Sequence, residues 1–294
     1  MKKGYILVAM GAACWGSVGA LSNFLFEQGL SSFTVANYRV LLSMIIIGLY
    51  LLIFKRTAFT VHKKDLPLFA LMGLISVCLF NMAYIGAIRL TTIVTAVILL
   101  YTAPVFVTII SRFTFKEPIT LQKAVALVLT LAGCALVVEA YNPANLKLNF
   151  VGILVGLCAG LTYGLYSIFG KKALRAYSSW TTVFYSFLFG TFFISIVGRP
   201  WETVSMLLDS TTLTFLLLIA LIPTVLAYAL YTAGLKYVET SKASIVATVE
   251  PVVAVLLAAL LFQEYLTWPQ FVGVLMVLAS VVLIQLPAVN KKAA

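Results

Sequence analysis

The chain has 294 residues, of which 63% are hydrophobic and only 10% charged, and its mean hydropathy is +1.09. A soluble domain carries about 45–50% apolar and about 25% charged residues, so a soluble fold is excluded. The net charge of +11 would raise the question of nucleic acid in a soluble protein; here the basic residues sit between apolar blocks, and no nucleic-acid partner is expected.

Ten apolar spans are predicted, near 4–26, 32–54, 66–87, 92–113, 120–139, 150–170, 180–198, 212–235, 241–262 and 268–286. Together they use most of the chain and leave no room for a soluble catalytic domain. Span one follows Lys2 and Lys3. Its apolar run exceeds the roughly 7–15 residues of a signal-peptide core, so a retained first helix is expected. It carries Trp15 and a small-residue stripe of Ala12, Gly16 and Ala20.

Span two holds Arg39, an ionisable group at membrane depth. It snorkels outward, pairs with a carboxylate such as Glu250, or receives a substrate carboxylate. In span three Asn81 and Tyr84 share a face, and span four contains Tyr101 and Pro104. Glu117 and Glu264 precede Thr120 and Thr267, which read as N-caps of spans five and ten, so this element is expected to be structural.

Span six repeats glycine every four residues, at Gly152, Gly156, Gly160 and Gly164, which suits close helix packing or a sliding contact. It also carries Tyr163 and Tyr166, and span eight carries Tyr228 and Tyr231. In span nine Pro251 mirrors Pro104. Each proline removes the helical donor of a carbonyl four residues earlier, that of Leu100 or Ala247, which leaves a kink or a flexible point on a transport path.

Glu250 is the sharpest feature. A charge at the centre of a span costs about 2.5–3.5 kcal/mol or more, so the carboxyl should face a cavity or a partner. Three roles compete: binding a proton exchanged against substrate, holding a substrate ammonium group, or pairing with Arg39. Taken as a set, Trp15, Arg39, Asn81, Tyr84, Tyr101, Tyr163, Tyr166, Tyr228, Tyr231 and Glu250 suggest a pocket for amphipathic molecules, with apolar walls and a few polar groups.

The loops alternate in charge. Sixteen basic residues fall in one set and only Arg89, Lys147 and Arg199 in the other, which predicts cytoplasmic N- and C-termini. The absence of an Asn-x-Ser/Thr sequon favours a bacterial inner membrane. Cys14, Cys78, Cys134 and Cys158 all lie inside spans and His62 stands alone in a loop, so no metal or other cofactor is expected. No Gly-Lys-Ser/Thr phosphate loop occurs.

Shifted by 147–148 positions, the chain lies on itself. Gly4, Ala12, Trp15 and Gly16 meet Gly152, Gly160, Tyr163 and Gly164, while Tyr84, Ala96, Ile98 and Pro104 meet Tyr231, Ala243, Ile245 and Pro251. Phe115, Glu117 and Thr120 meet Phe262, Glu264 and Thr267. Two repeats of five spans, 1–145 and 146–294, therefore follow. An odd span number makes the second enter from the opposite side, so the fold is predicted to be an all-α integral membrane protein of inverted-topology repeats.

The segment from Ala87-Ile88-Arg89 through Pro104 to Phe115-Lys116-Glu117, and its partner from Gly234-Leu235-Lys236 through Glu250-Pro251 to Phe262-Gln263-Glu264, resemble the paired EamA domains of the drug/metabolite transporter superfamily. One departure is Ala103, which stands where Glu250 stands in the second copy. The resemblance implies a ten-helix exporter of amino acids or other small metabolites, working by alternating access through a central cavity. Protons are an expected partner beside the substrate and the bilayer, and a monomer suffices. Efflux of lipophilic cations is the second transport reading. An intramembrane enzyme would need a nucleophile–base pair, a metal cluster or paired carboxylates, which the sequence does not offer; a receptor or scaffold would leave the repeat without a use.

Overall fold

The computed structural model describes residues 2–263 and 265–287. Glu264, Lys291 and Lys292 lie outside the described residues. The ten predicted spans are helices, with ends within a few residues of expectation. Nine of them are long and apolar enough to cross a membrane: α1 (Lys2–Glu27), α2 (Ser32–Phe54), α3 (Lys63–Leu90), α4 (Ile93–Thr114), then α6 (Phe150–Ala173), α7 (Ser179–Gly198), α8 (Ser210–Leu235), α9 (Thr240–Phe262) and α10 (Trp268–Gln285). The remaining helix, α5 (Leu121–Val137), is apolar but shorter. It stops early because Glu139 is left-handed at φ 60°, and Ala140 N–H turns back to Ala135 C=O at 2.9 Å, the hydrogen-bonded signature of a helix end.

The repeat extends to irregularities of the backbone. Leu74–Leu79 in α3 and Leu221–Leu226 in α8 are π-helical and stand 147 positions apart. Lys116 and Gln263, equally spaced, are both left-handed, at φ 59° and 57°. Helices α4 and α9 are each broken near mid-span, between Leu100 and Ala103 and between Val246 and Val249. Packing follows the same symmetry. Helix α1 lies on α8 and α9 as α6 lies on α3 and α4, while α2 pairs with α7 and α5 with α10.

Glycines set the closest approaches. The α6 stripe is buried against the end of α3 and across the break of α4; a Cβ on Gly160 would lie 2.7 Å from Leu99 O and 2.9 Å from Thr102 Oγ1. On α10 a Cβ at Gly273 would lie 2.7 Å from Gly133 O and 2.9 Å from Val137 N, both backbone atoms of α5. Gly273→Ala is therefore expected to destabilise the α5–α10 pair by about 1–3 kcal/mol. Gly19→Ala, whose Cβ would meet nothing within 4 Å, should be neutral or slightly stabilising. Thermal unfolding in detergent compares the two; equal midpoints would refute the close contact.

Side chains tie the connections together by end. At one end His62 N–H donates to Tyr177 Oη, and that phenol donates to Asp65. At the same end Glu117, between α4 and α5, reaches the start of α9, and Lys171 Nζ donates to Leu235 O and Val238 O. At the other end Thr92 Oγ1 donates to Asn145 O, Tyr141 meets Thr267, and Tyr38 Oη donates to Pro200 O. The lysine- and arginine-rich connections are therefore gathered at the first end, called the basic end below.

Candidate functional site

A narrow cavity sits where α1, α3, α4, α6, α8 and α9 meet. It spreads over about 500 Å³ of unfilled space but leaves room for little more than one water molecule. Six of the predicted aromatics form its wall. Trp15 is packed with ring centroids 4.9 Å from Tyr231, 5.1 Å from Tyr228 and 6.1 Å from Tyr163, and Tyr166 lies 4.9 Å from Tyr228. Tyr101 lines the same space from the break in α4.

Each buried phenol needs a partner, and the partners order the wall. Tyr231 Oη and Ser167 Oγ are 2.6 Å apart, and Tyr166 Oη is 3.1 Å from Thr232 Oγ1. Tyr163 Oη lies 3.1 Å from Glu250 Oε2 and donates to it, linking α6 to α9 within the second repeat.

Glu250 stands in the first turn of the second segment of α9, Val249–Phe262. At the break just before it, Thr248 N–H and Glu250 N–H each turn to the carbonyl three residues earlier, Ile245 O and Ala247 O, both at 3.1 Å. Pro251 follows at a position where its missing N–H costs nothing. Pro104 occupies the same place in the second segment of α4, so both prolines begin helical segments rather than kink continuous helices. Thr102 and Thr248 each donate to the carbonyl three residues earlier, Leu99 O and Ile245 O, both at 2.6 Å, and so satisfy the broken ladders.

Neither Arg39 nor Glu250 is among the residues that line the cavity. Ion pairs within 4.0 Å among the described residues join only Lys123 with Glu117, Lys123 with Glu239, and Arg199 with Glu202. Arg39 and Glu250 are thus not paired. Arg39 Nε is buried and meets no hydrogen-bond acceptor.

Other predicted residues sit at the margin. Tyr84 stacks on Phe80 at 5.9 Å, and Phe80 lies 5.5 Å from Tyr163. Asn81 turns onto its own helix, donating to Val77 O at 2.7 Å within the π-helical stretch. The cavity also takes in Ser76, Ser244 and Thr248, which the sequence reading passed over. Ser76 Oγ is buried without a partner. A lone serine in an apolar span gives no signal by itself; the π-helical turn that presents it is a backbone event.

The model of the EamA-like transporter family matches residues 2–139 and again 150–286. The chain belongs to that family. An uncharacterized transporter of Archaeoglobus fulgidus is 31% identical over 214 residues, covering 71% of this chain and 75% of its own length. An uncharacterized inner membrane transporter of Salmonella typhimurium, YicL, is 25% identical over 294 residues, covering 97% and 96%. A crystal structure of a protein 12% identical in sequence superposes with a TM-score of 0.81 over 97% of each chain, which shows the shared fold. This EamA-family chain is accordingly a multi-pass membrane transporter.

Proposed function

We propose that this chain is a secondary transporter that exports small zwitterionic metabolites, amino acids first among them, by alternating access. The observation that carries the reading is the pair of opposite charges held apart beside one aromatic cavity. A zwitterion supplies a carboxylate for Arg39 and an ammonium group for Glu250, and its side chain rests on the rings of Trp15, Tyr163 and Tyr228. A half-buried arginine whose buried Nε has no acceptor among the described residues gains from an anionic ligand. Arg39 also disfavours a lipophilic cation as the main passenger, because it repels one.

The basic end is assigned to the cytoplasm, with both termini there, in an inner membrane. Glu250 is the candidate for proton coupling, since Arg39 cannot release its proton in practice. The narrow cavity supports an alternating cycle: it must widen toward one end to admit a molecule larger than water.

Flux of a labelled neutral amino-acid mixture in proteoliposomes tests this. Flux that rises with an imposed pH gradient is expected. Equal flux with and without the gradient would leave a facilitator and remove proton coupling. Transport of a lipophilic cation with no amino-acid flux would overturn the substrate assignment.

A further inference from the structure

Helices α4 and α9 are related by the pseudo-twofold of the repeat, but among the described residues they pack closely at one end. At the basic end Ala103–Thr114 of α4 packs against Thr240–Val246 of α9. The equivalent pair at the other end, Ile93–Leu100 with Val249–Phe262, makes no comparable contact among the described residues. A surface hollow lies at that second end between the ends of α5, α9 and α10, bordered by Glu139, Val255, Gln263, Tyr265, Leu266 and Gln270.

The closed end is held by charge. Glu117 accepts from Thr240 N–H at 2.7 Å and Ser241 N–H at 3.0 Å, and also from the Ser241 hydroxyl. Lys123 lies 3.9 Å from Glu117 and 2.7 Å from Glu239, and its side chain is only 1% exposed. The repeat positions of Lys123 and Glu239 are Gln270 and Thr92, which are neutral. Gln270 accepts from Thr267 N–H within its own turn, and Thr92 caps its own helix. Glu117 has an acidic counterpart, Glu264, outside the described residues, but the Lys123–Glu239 ion pair has neutral residues in both matching places, so that charge pair is built at one end of the scaffold alone.

We propose that Glu117, Lys123 and Glu239 form a latch that keeps the basic end closed and biases the resting protein toward opening at the opposite end. Access from the basic side requires the start of α9 to leave the Glu117 carboxylate. The inference rests on the alternating-access reading but not on the identity of the passenger.

Site accessibility tests it without a substrate. In a background with Cys14, Cys78, Cys134 and Cys158 replaced, Ser244→Cys places a thiol on the cavity wall, one turn inside the latch. A membrane-impermeant maleimide is applied separately to each face of the membrane, and Thr60→Cys, exposed in the α2–α3 connection, identifies the basic face. Glu117→Gln is expected to raise labelling of Ser244→Cys from the basic face on the order of tenfold, with no rise from the other. Ser241→Ala, which removes only a hydroxyl donor, should act in the same direction by less, and it keeps the test decisive if Glu117→Gln fails to fold. Unchanged labelling in the folded variants, or an equal rise from both faces, would overturn the latch and leave these residues a purely structural role. A latch response without amino-acid flux would instead fault the substrate assignment alone.

Discussion

Glu250→Gln is expected to lower amino-acid flux by about 10–100-fold and to remove its response to a pH gradient. Gln keeps the shape and can still accept the Tyr163 hydroxyl, 3.1 Å from the native carboxylate, so the α6–α9 link and the fold should survive. What disappears is the negative charge in the first turn of the second α9 segment. A hydrogen bond to a charged group contributes about 1.5–3 kcal/mol, and that range sets the expected loss. Initial rates in proteoliposomes at matched protein density measure it. Flux within twofold of the native protein, with its response to the gradient intact, would remove Glu250 from substrate and proton handling. Loss of the gradient response with amino-acid flux preserved would confine it to coupling.

Arg39→Gln should reduce flux about as strongly while leaving thermal stability unchanged or raised. This combination separates a binding role from a structural one. Removing one partner of a buried ion pair typically costs about 3–5 kcal/mol, because the other charge is stranded. Among the described residues Arg39 Nε has no acceptor and no carboxylate lies within 4.0 Å of the guanidinium, so the substitution strands no described partner. A clear fall in the unfolding midpoint would show that Arg39 and Glu250 pair directly in the resting protein. The exchange Arg39→Glu with Glu250→Arg gives a second reading. Two residues that serve opposite ends of one passenger should not be rescued by the exchange, whereas a mutual pair should be.

The asymmetry between the repeats gives these charges a context. Ala103 occupies the place of Glu250 in the first repeat, and Gln270 and Thr92 occupy the places of Lys123 and Glu239 across the membrane. The scaffold is twofold, with matched π-helical turns and matched breaks. The chemistry is single. The Glu250 carboxyl and the Lys123–Glu239 ion pair have no charged residues at their matching positions, so the two halves are chemically inequivalent.

Much of the architecture was legible from the chain alone. Span positions follow from apolar length, which the bilayer imposes residue by residue. The repeat was visible because Gly, Pro, Tyr and Glu recur in register, and five spans per repeat force the inversion. The aromatic wall was also within reach, since Trp15 and Tyr163 match across the repeat. Tertiary structure decided what periodicity cannot carry in lipid, where the outer and inner faces of a helix are both apolar. It turned Asn81 onto Val77 and brought in Ser76 and Phe80 from α3. It kept Arg39 beyond contact with Glu250. Above all it sent Glu117 across to α9, where local sequence shows only a turn before a capping threonine. A carboxylate seeks the nearest unsatisfied N–H groups, and those belong to a helix 123 residues away, brought there only by the inverted packing of the two repeats.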